Sequence, residues 1–200
     1  MVATVASAER PREVDVSQLD VAGVRLGMTP AEAREALNAA GYSVSDDSTY
    51  LSWKARVAEE AGKYANVPKD TTRAVVATGA EGPENQKIEV RYAVGPNGSR
   101  VDRVKYRRLG RQGNIFPMAF AKYAQPTAQG SSTASWCSQR KGCPTQIFEP
   151  SRLAWLSVYQ VGDGNASITL DQGLDAAARL KAIFDAAVRA IAPSYGRASC

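Results

Sequence analysis

The sequence predicts an α+β protein in which helices pack on an antiparallel sheet, as two loosely similar helix-plus-sheet halves. Three observations indicate this fold. Residues 29–41 carry the start and stop signals of a helix. Residues 87–109 alternate apolar and charged side chains, as an antiparallel hairpin does. A second helix pattern followed by strand patterns comes after Gly110, and with 44% hydrophobic residues the chain can bury a sizeable core.

The first helix is predicted over Pro30–Ala40. Thr29 is a good N-cap because its hydroxyl accepts from the free amides of the first turn. Glu32 completes a capping box with Thr29, and Pro30 stands where a missing N–H costs nothing. Gly41 supplies the left-handed residue that ends such a helix.

Two further elements follow in the first half. Ser52–Tyr64 is predicted as a helix because apolar residues recur at spacings of three and four, and Asn66 and Pro68 end it. Thr72–Thr78 is predicted as a strand because it is rich in β-branched residues.

A hairpin with one apolar and one charged face is predicted next. In its first strand Ile88, Val90, Tyr92 and Val94 share one face, whereas Lys87, Glu89 and Arg91 share the other. Gly95–Gly98 forms the turn. Val101–Leu109 then returns, with Val104 and Tyr106 on the apolar face and Arg103, Lys105 and Arg107 on the charged face.

The second half is predicted to repeat the order of a helix followed by strands. Gly110–Asn114 is the expected boundary, Ile115–Ala124 a helix, Ser131–Ser135 a loop, and Leu153–Gln160 and Ala166–Leu170 paired strands. A last helix is expected near Asp175–Ala192, with one apolar side formed by Leu180, Ile183, Phe184, Ala187, Val188 and Ile191. We therefore divide the chain into a signal remnant and flexible arm (1–20), two halves (21–110 and 111–195) and a tail (196–200).

The stretch Gly-Val-Arg-Leu-Gly-Met-Thr-Pro-Ala-Glu-Ala-Arg-Glu-Ala-Leu, residues 23–37, resembles the opening helix of a known group. It is similar to the small outer-membrane assembly lipoproteins of the SmpA/OmlA type and to the β-lactamase-inhibitor-like fold. The resemblance implies a helix laid against an antiparallel sheet in a bacterial envelope protein. The chain departs from the lipoproteins because no cysteine precedes Cys137.

The N-terminus and the cysteines predict a periplasmic or secreted protein. Met1–Ala8 is small and apolar, and Ala6-Ser7-Ala8 fits a signal cleavage site; the alternative is an ordinary disordered N-terminus. Cys137 and Cys143 are predicted to form a disulfide, which fits an oxidising compartment; the alternative is a pair of reduced thiols. Cys200 is left unpaired at the end of the chain.

Composition points to binding rather than catalysis. The chain has no histidine, which removes the commonest general base and the commonest metal ligand. We expect no catalytic, metal or cofactor site, and hence a non-enzymatic protein. No apolar run approaches the length of a membrane span. A carboxylate-dependent hydrolase of envelope polymers is the enzymatic alternative, although no acidic pair stands out.

The basic charge is concentrated on the second strand of the hairpin. Residues 1–100 hold twelve basic and fourteen acidic side chains, whereas residues 101–200 hold thirteen and six. Arg103, Lys105 and Arg107 form a basic stripe on one strand face, which indicates contact with another protein or an anionic envelope component. A solvated sheet face is the alternative. Nucleic acid is disfavoured because no recognition motif accompanies the charge.

The cysteine loop is a second candidate for partner binding. A closed loop would present Arg140 and Lys141 with reduced flexibility, and such loops lose little entropy on binding. The alternative is a structural staple with incidental charge. The predicted function is therefore macromolecular binding through the stripe or this loop, with inhibition of a secreted enzyme as the alternative binding role.

Overall fold

The computed structural model describes residues 13–110, 113–146, 149–160, 162 and 164–196. The first half contributes the strands β1 (Asp20–Val21), β2 (Val24–Arg25), β3 (Ser43–Leu51), β4 (Arg73–Glu81), β5 (Gln86–Gly95) and β6 (Gly98–Arg108), and the helices α1 (Pro30–Ala39) and α2 (Trp53–Ala61). The second half contributes α3 (Phe116–Tyr123), β7 (Ala128–Gln129), β8 (Thr133–Cys137), β9 (Trp155–Gln160), β10 (Ala166–Asp171) and α4 (Leu174–Ile191).

Eight of the strands form one antiparallel sheet. Their order is β3-β4-β5-β6-β10-β9-β8-β7, so each half supplies four consecutive strands and the last strand of one half pairs with the last strand of the other. At this junction Ile168 lies opposite Tyr106 and Leu170 opposite Val104. The α+β class with helices packed on antiparallel sheet is confirmed.

The first helix begins as its sequence predicts. The Thr29 hydroxyl accepts a hydrogen bond from the Glu32 amide at 3.2 Å, and the Glu32 carboxylate accepts from the Thr29 amide at 2.7 Å. The predicted capping box is therefore present. Gly41 has the left-handed φ of +82° that follows the helix end.

One face of the sheet carries the main core. Val90, Val104, Leu170, Leu156 and Trp136 are register neighbours across five strands, and each is fully buried. Helices α1 and α3 cover this face: they contribute Ala33, Leu37, Ala119 and Tyr123 to the same cluster. Burying a side chain of this size stabilises the fold by roughly 1.5–3 kcal/mol, so this row is a main source of stability.

Helices α2 and α4 lie over the other side of the sheet. They form a small separate cluster around Val57, Ala61, Val188 and Ala192. The predicted apolar side of α4 is only partly covered, because Ile183 and Ile191 keep 51% and 46% of their surface exposed. Helices therefore lie on both sides of the sheet, with α1 and α3 on one side and α2 and α4 on the other.

A glycine sets the direction of α4. Gly173 joins β10 to α4 with a φ of +78°, and a Cβ there would collide with the backbone of Arg152 and Leu153. The chain can therefore leave β10 and turn onto the side opposite α1 only through a glycine.

Two further expectations are corrected. The segment predicted as the loop Ser131–Ser135 contributes three residues to β8, whose five residues are all buried. Its sequence lacks alternation because both of its faces are covered. In the predicted flexible arm, Val16 is 2% exposed and the Val14 amide donates to the Cys137 carbonyl at 3.2 Å, so residues 13–20 belong to the packed fold.

Some predictions fall on residues that the structure does not describe. They are the signal remnant within residues 1–12, part of the boundary at residues 111–112, and Cys200 in the tail. Within the described ranges, each helix is too short or too polar to serve as a membrane span.

Candidate binding surface on the open sheet face

The side of the sheet opposite α1 and α3 is called the open face. Strand alternation places the three residues of the basic stripe, Arg103, Lys105 and Arg107, on this face. Their register neighbours on β5 and β10 are Arg91 and Asp171 for Arg103, Glu89 and Thr169 for Lys105, and Lys87 and Ser167 for Arg107. The stripe therefore lies in the centre of the sheet, with a strand on each side.

Arg103 is already engaged within the protein. Its Nε donates to the Asp171 carboxylate at 2.5 Å, and the other oxygen of Asp171 accepts from the Gly173 amide at 2.6 Å. Asp171 is only 8% exposed. The Arg103 charge is thus balanced, and this pair fixes the register of β6 on β10 rather than offering a free cation.

Lys105 is half-buried between its neighbours. Burial and the nearby Arg107 lower the pKa of the Lys105 ammonium, whereas Glu89 acts in the opposite direction. An acidic group docked beside Lys105 would compensate for the hydration that the ammonium loses on burial, and would favour its charged form.

Arg107 carries the most available charge of the stripe. It is exposed, and its two register neighbours are Lys87 and Ser167, neither of which is acidic. Lys87 is held by Glu81 at 3.0 Å. Among the three cations of the stripe, Arg107 is therefore the one best placed to attract an acidic partner.

A pocket of about 280 Å³ adjoins the stripe. Its floor is formed by open-face residues of β6, β10 and β9, and Gln146, Glu149 and Pro150 lie at its rim. The floor combines two cations and a carboxylate with hydroxyls and aromatic rings, namely Arg103, Lys105, Asp171, Ser157, Ser167, Thr169, Trp155 and Tyr159. Such a mixture suits a polar group that also presents apolar surface.

Sequence reasoning did not assign the pocket residues of β9 and β10. A signal was present: hydroxyl or acidic side chains alternate with apolar ones in residues 157–159 and 166–171. This alternation does not reveal which strands pair, and only the pairing of β10 with β6 places Thr169 beside Lys105.

The predicted disulfide is confirmed. Cys137 and Cys143 are bonded, with 5.8 Å between their Cα atoms. Arg140 and Lys141 are exposed in the enclosed loop. The loop leaves β8, which lies three strand spacings, roughly 14 Å, from β6. The structure therefore separates the loop cations from the basic stripe.

Two carboxylates approach each other at one end of the open face. Asp102 and Asp171 line the same groove, and burial together with Asp171 raises the pKa of the Asp102 carboxyl, while Arg91 opposes this shift. Both oxygens of Asp171 are already hydrogen-bonded, which leaves it poorly placed to act on a substrate. Across the described ranges, no group of three or more cysteine, aspartate or glutamate residues could hold a metal ion.

Comparison with protein-family models, with curated proteins and with solved structures found no match to this chain. The resemblance to the SmpA/OmlA-type lipoproteins and to the β-lactamase-inhibitor-like fold therefore stays a prediction.

Proposed function

We propose that the chain is a non-enzymatic bacterial envelope protein, periplasmic or secreted, that binds an acidic segment of another protein through the open face. One observation carries the proposal. The basic stripe points outward from the central strand β6, beside a pocket that contains Trp155 and Tyr159. Exposed cations steer an acidic partner to the surface, and aromatic side chains supply contact area.

The surface is rigid before any partner arrives. Strand β6 is hydrogen-bonded to β5 on one side and to β10 on the other, and the Arg103–Asp171 pair ties two of these strands together. A preorganised surface loses little conformational entropy on binding. The open face can therefore bind without a conformational change.

The carboxylates on the open face favour a selective contact. Glu89 lies beside Lys105, and Asp171 beside Arg103. An acidic partner gains most at Arg107 and less where these carboxylates offset the neighbouring cations, which favours one register on the sheet.

The disulfide supports the proposed location. Disulfides persist in oxidising compartments and are rare in the cytosol. The Cys137–Cys143 bond is thus compatible with an envelope protein.

The test removes the two stripe cations, Lys105 and Arg107, for which the described part of the chain provides no ion-pair partner. The variant Lys105→Gln/Arg107→Gln is compared with Arg179→Gln/Arg189→Gln, which lowers the charge by the same amount on exposed positions of α4. Wild type and the control should capture the same partner from envelope extract, and the stripe variant should bind the purified partner at least tenfold more weakly. Equal affinity in all three proteins would overturn the proposal.

The second candidate function is inhibition of a secreted enzyme by the cysteine loop. The observation that favours it is the exposure of residues 138–142 within a disulfide-closed loop. In this case Arg140→Ala/Lys141→Ala weakens binding of the enzyme while the fold survives, and Lys105→Gln/Arg107→Gln has no effect. Enzyme inhibition assays with each variant separate the two candidates.

A further inference from the structure

A groove of about 920 Å³ lies between the open face and the α2–α4 pair. It is separate from the stripe pocket except for Arg103 and Asp171, which line both. Its floor is the end of the sheet around the β5–β6 turn, and its roof is formed by the two helices. The volume is within the range of sites that bind small molecules, roughly 300–1,000 Å³.

The roof of the groove is largely apolar, with Arg56 of α2 and Lys181 of α4 as its charged members. It presents Trp53 from α2, and Leu174, Leu180, Ile183 and Phe184 from α4. Leu174 and Ile183 keep 54% and 51% of their surface exposed, so the described residues leave much of this side uncovered. Contacts with Trp53 hold Phe184 in place, with ring centroids 5.4 Å apart.

One end of the roof rests on the sheet. The Cδ1 atom of Leu180 lies 3.4 Å from the position that a Cβ on Gly95 would take. Helix α4 therefore reaches the hairpin turn through Leu180, and this contact borders the groove on that side.

The floor of the groove is cationic. Arg91 and Arg100 point from the open face into it and are exposed, and the Arg56 guanidinium lies 5.3 Å from the Phe184 ring centre at the roof. Asp102 is the opposing charge, while Asp171 is matched by Arg103. The groove thus keeps an excess of positive charge below an apolar roof.

We propose that this groove binds a long-chain fatty-acid anion, with the acyl chain under α4 and the carboxylate at Arg91 and Arg100. An acyl chain covers the exposed leucine and isoleucine, and a carboxylate forms charge-assisted hydrogen bonds with guanidinium groups. A second copy of the chain is a poorer occupant, because each copy carries a net charge of +5. The site goes beyond the proposed protein-binding function, and the arginines that would hold the carboxylate, Arg91 and Arg100, do not belong to the basic stripe.

The probe for this site is dodecanoate, titrated by calorimetry below its micellar concentration. Dodecyltrimethylammonium has the same chain with the opposite charge, and butanoate has the same head group without the chain. The wild-type protein should bind one dodecanoate saturably, and should bind each of the other two at least tenfold more weakly. Absence of saturable dodecanoate binding, or equal binding of the cation, would overturn the proposal.

Variants locate the bound anion. Arg91→Gln/Arg100→Gln should weaken dodecanoate at least tenfold, and Ile183→Gln should weaken it severalfold because a polar group replaces an apolar contact. Arg179→Gln/Arg189→Gln is the charge-matched control outside the groove and should bind as wild type does. Thermal unfolding checks that each variant is folded. Unchanged affinity in both groove variants contradicts the assignment.

The fatty-acid site and the protein-binding surface can be tested separately. Lys105→Gln/Arg107→Gln lies outside the groove and should retain full dodecanoate affinity. Loss of dodecanoate binding in this variant would place the anion at the stripe and would contradict the proposal that it binds in the groove.

Discussion

The two faces of the eight-stranded sheet carry opposite chemistry although the same strands build both. On β10, Leu170 is fully buried on the covered face, where β1 contacts β10, whereas its neighbour Thr169 lines a pocket on the open face. The covered face is a continuous apolar row across five strands, which demands close packing. The open face combines cations, carboxylates, hydroxyls and aromatic rings, and it leaves room for a second molecule. Stability therefore depends on one face, and binding is expected on the other.

The largest expected effect is a difference in unfolding free energy between substitutions at two adjacent residues, one on each face of the sheet. Leu170→Ala removes a fully buried side chain and should cost roughly 2–5 kcal/mol of unfolding free energy. Thr169→Ala changes the open face and should cost less than about 1 kcal/mol. Urea unfolding of both variants measures the difference. Similar losses for the two substitutions would mean that the open face is also part of the core.

The disulfide should have the next largest effect. Cys137 is the open-face neighbour of Trp155 at the end of β8, and its bond to Cys143 fixes the chain that leaves this edge. Chain-entropy arithmetic for a loop of six residues gives roughly 2 kcal/mol of stabilisation. Cys137→Ala/Cys143→Ala should therefore lower the free energy of unfolding by about this amount. A reductant should destabilise wild type but not the variant, and equal sensitivity would contradict the prediction.

Asp102 is an exception on the open face because its Oδ1 atom is buried, and no hydrogen-bond partner for it is found among the described residues. Burial raises the pKa of this carboxyl in the folded state above its unfolded value of 3.8. The folded protein thus loses stability as the pH rises through the interval between the two pKa values. Asp102→Asn should stabilise the protein by about 1 kcal/mol near pH 7.

The advantage of Asp102→Asn should shrink as the pH falls below 4, where both states are protonated. Thermal unfolding of wild type and variant across this pH range tests the sign. Constant stabilisation at every pH would show that the raised pKa is not its cause.

The smallest expected effect on stability belongs to the stripe. Arg107 is exposed, and surface substitutions of this kind change the free energy of unfolding by less than about 0.5 kcal/mol. Arg107→Gln should unfold with wild-type midpoints while it weakens partner binding. A large loss of stability would assign Arg107 a structural role. It would contradict the conclusion that stability depends on the covered face and binding on the open face.

Local patterns predicted the elements that have one buried face. Alternation in residues 87–94 and 101–107 gave β5, β6 and the outward direction of the stripe, and the capping residues gave α1. Strand β8 was missed because all five of its residues are buried and no alternation remains. Strand β3 was missed because it is a polar edge strand with irregular register.

The chemistry of the open face could not be predicted from local patterns. Arg103 and Asp171 form their ion pair across 68 positions of sequence, and only the pairing of β6 with β10 brings them together. The same pairing places Thr169 beside Lys105. The groove depends in turn on the side of the sheet that α4 takes after Gly173, and periodicity within a helix does not specify this side.

Site-specific photo-crosslinking tests the central proposal most directly. A photoreactive amino acid is placed at position 167, where Ser167 lies between Arg107 and Tyr159 on the open face, or at position 35, where Glu35 is exposed on α1. We predict that the partner captured by wild type forms adducts with the position 167 protein and not with the position 35 protein. Adducts at position 35 without adducts at position 167 would contradict binding through the open face.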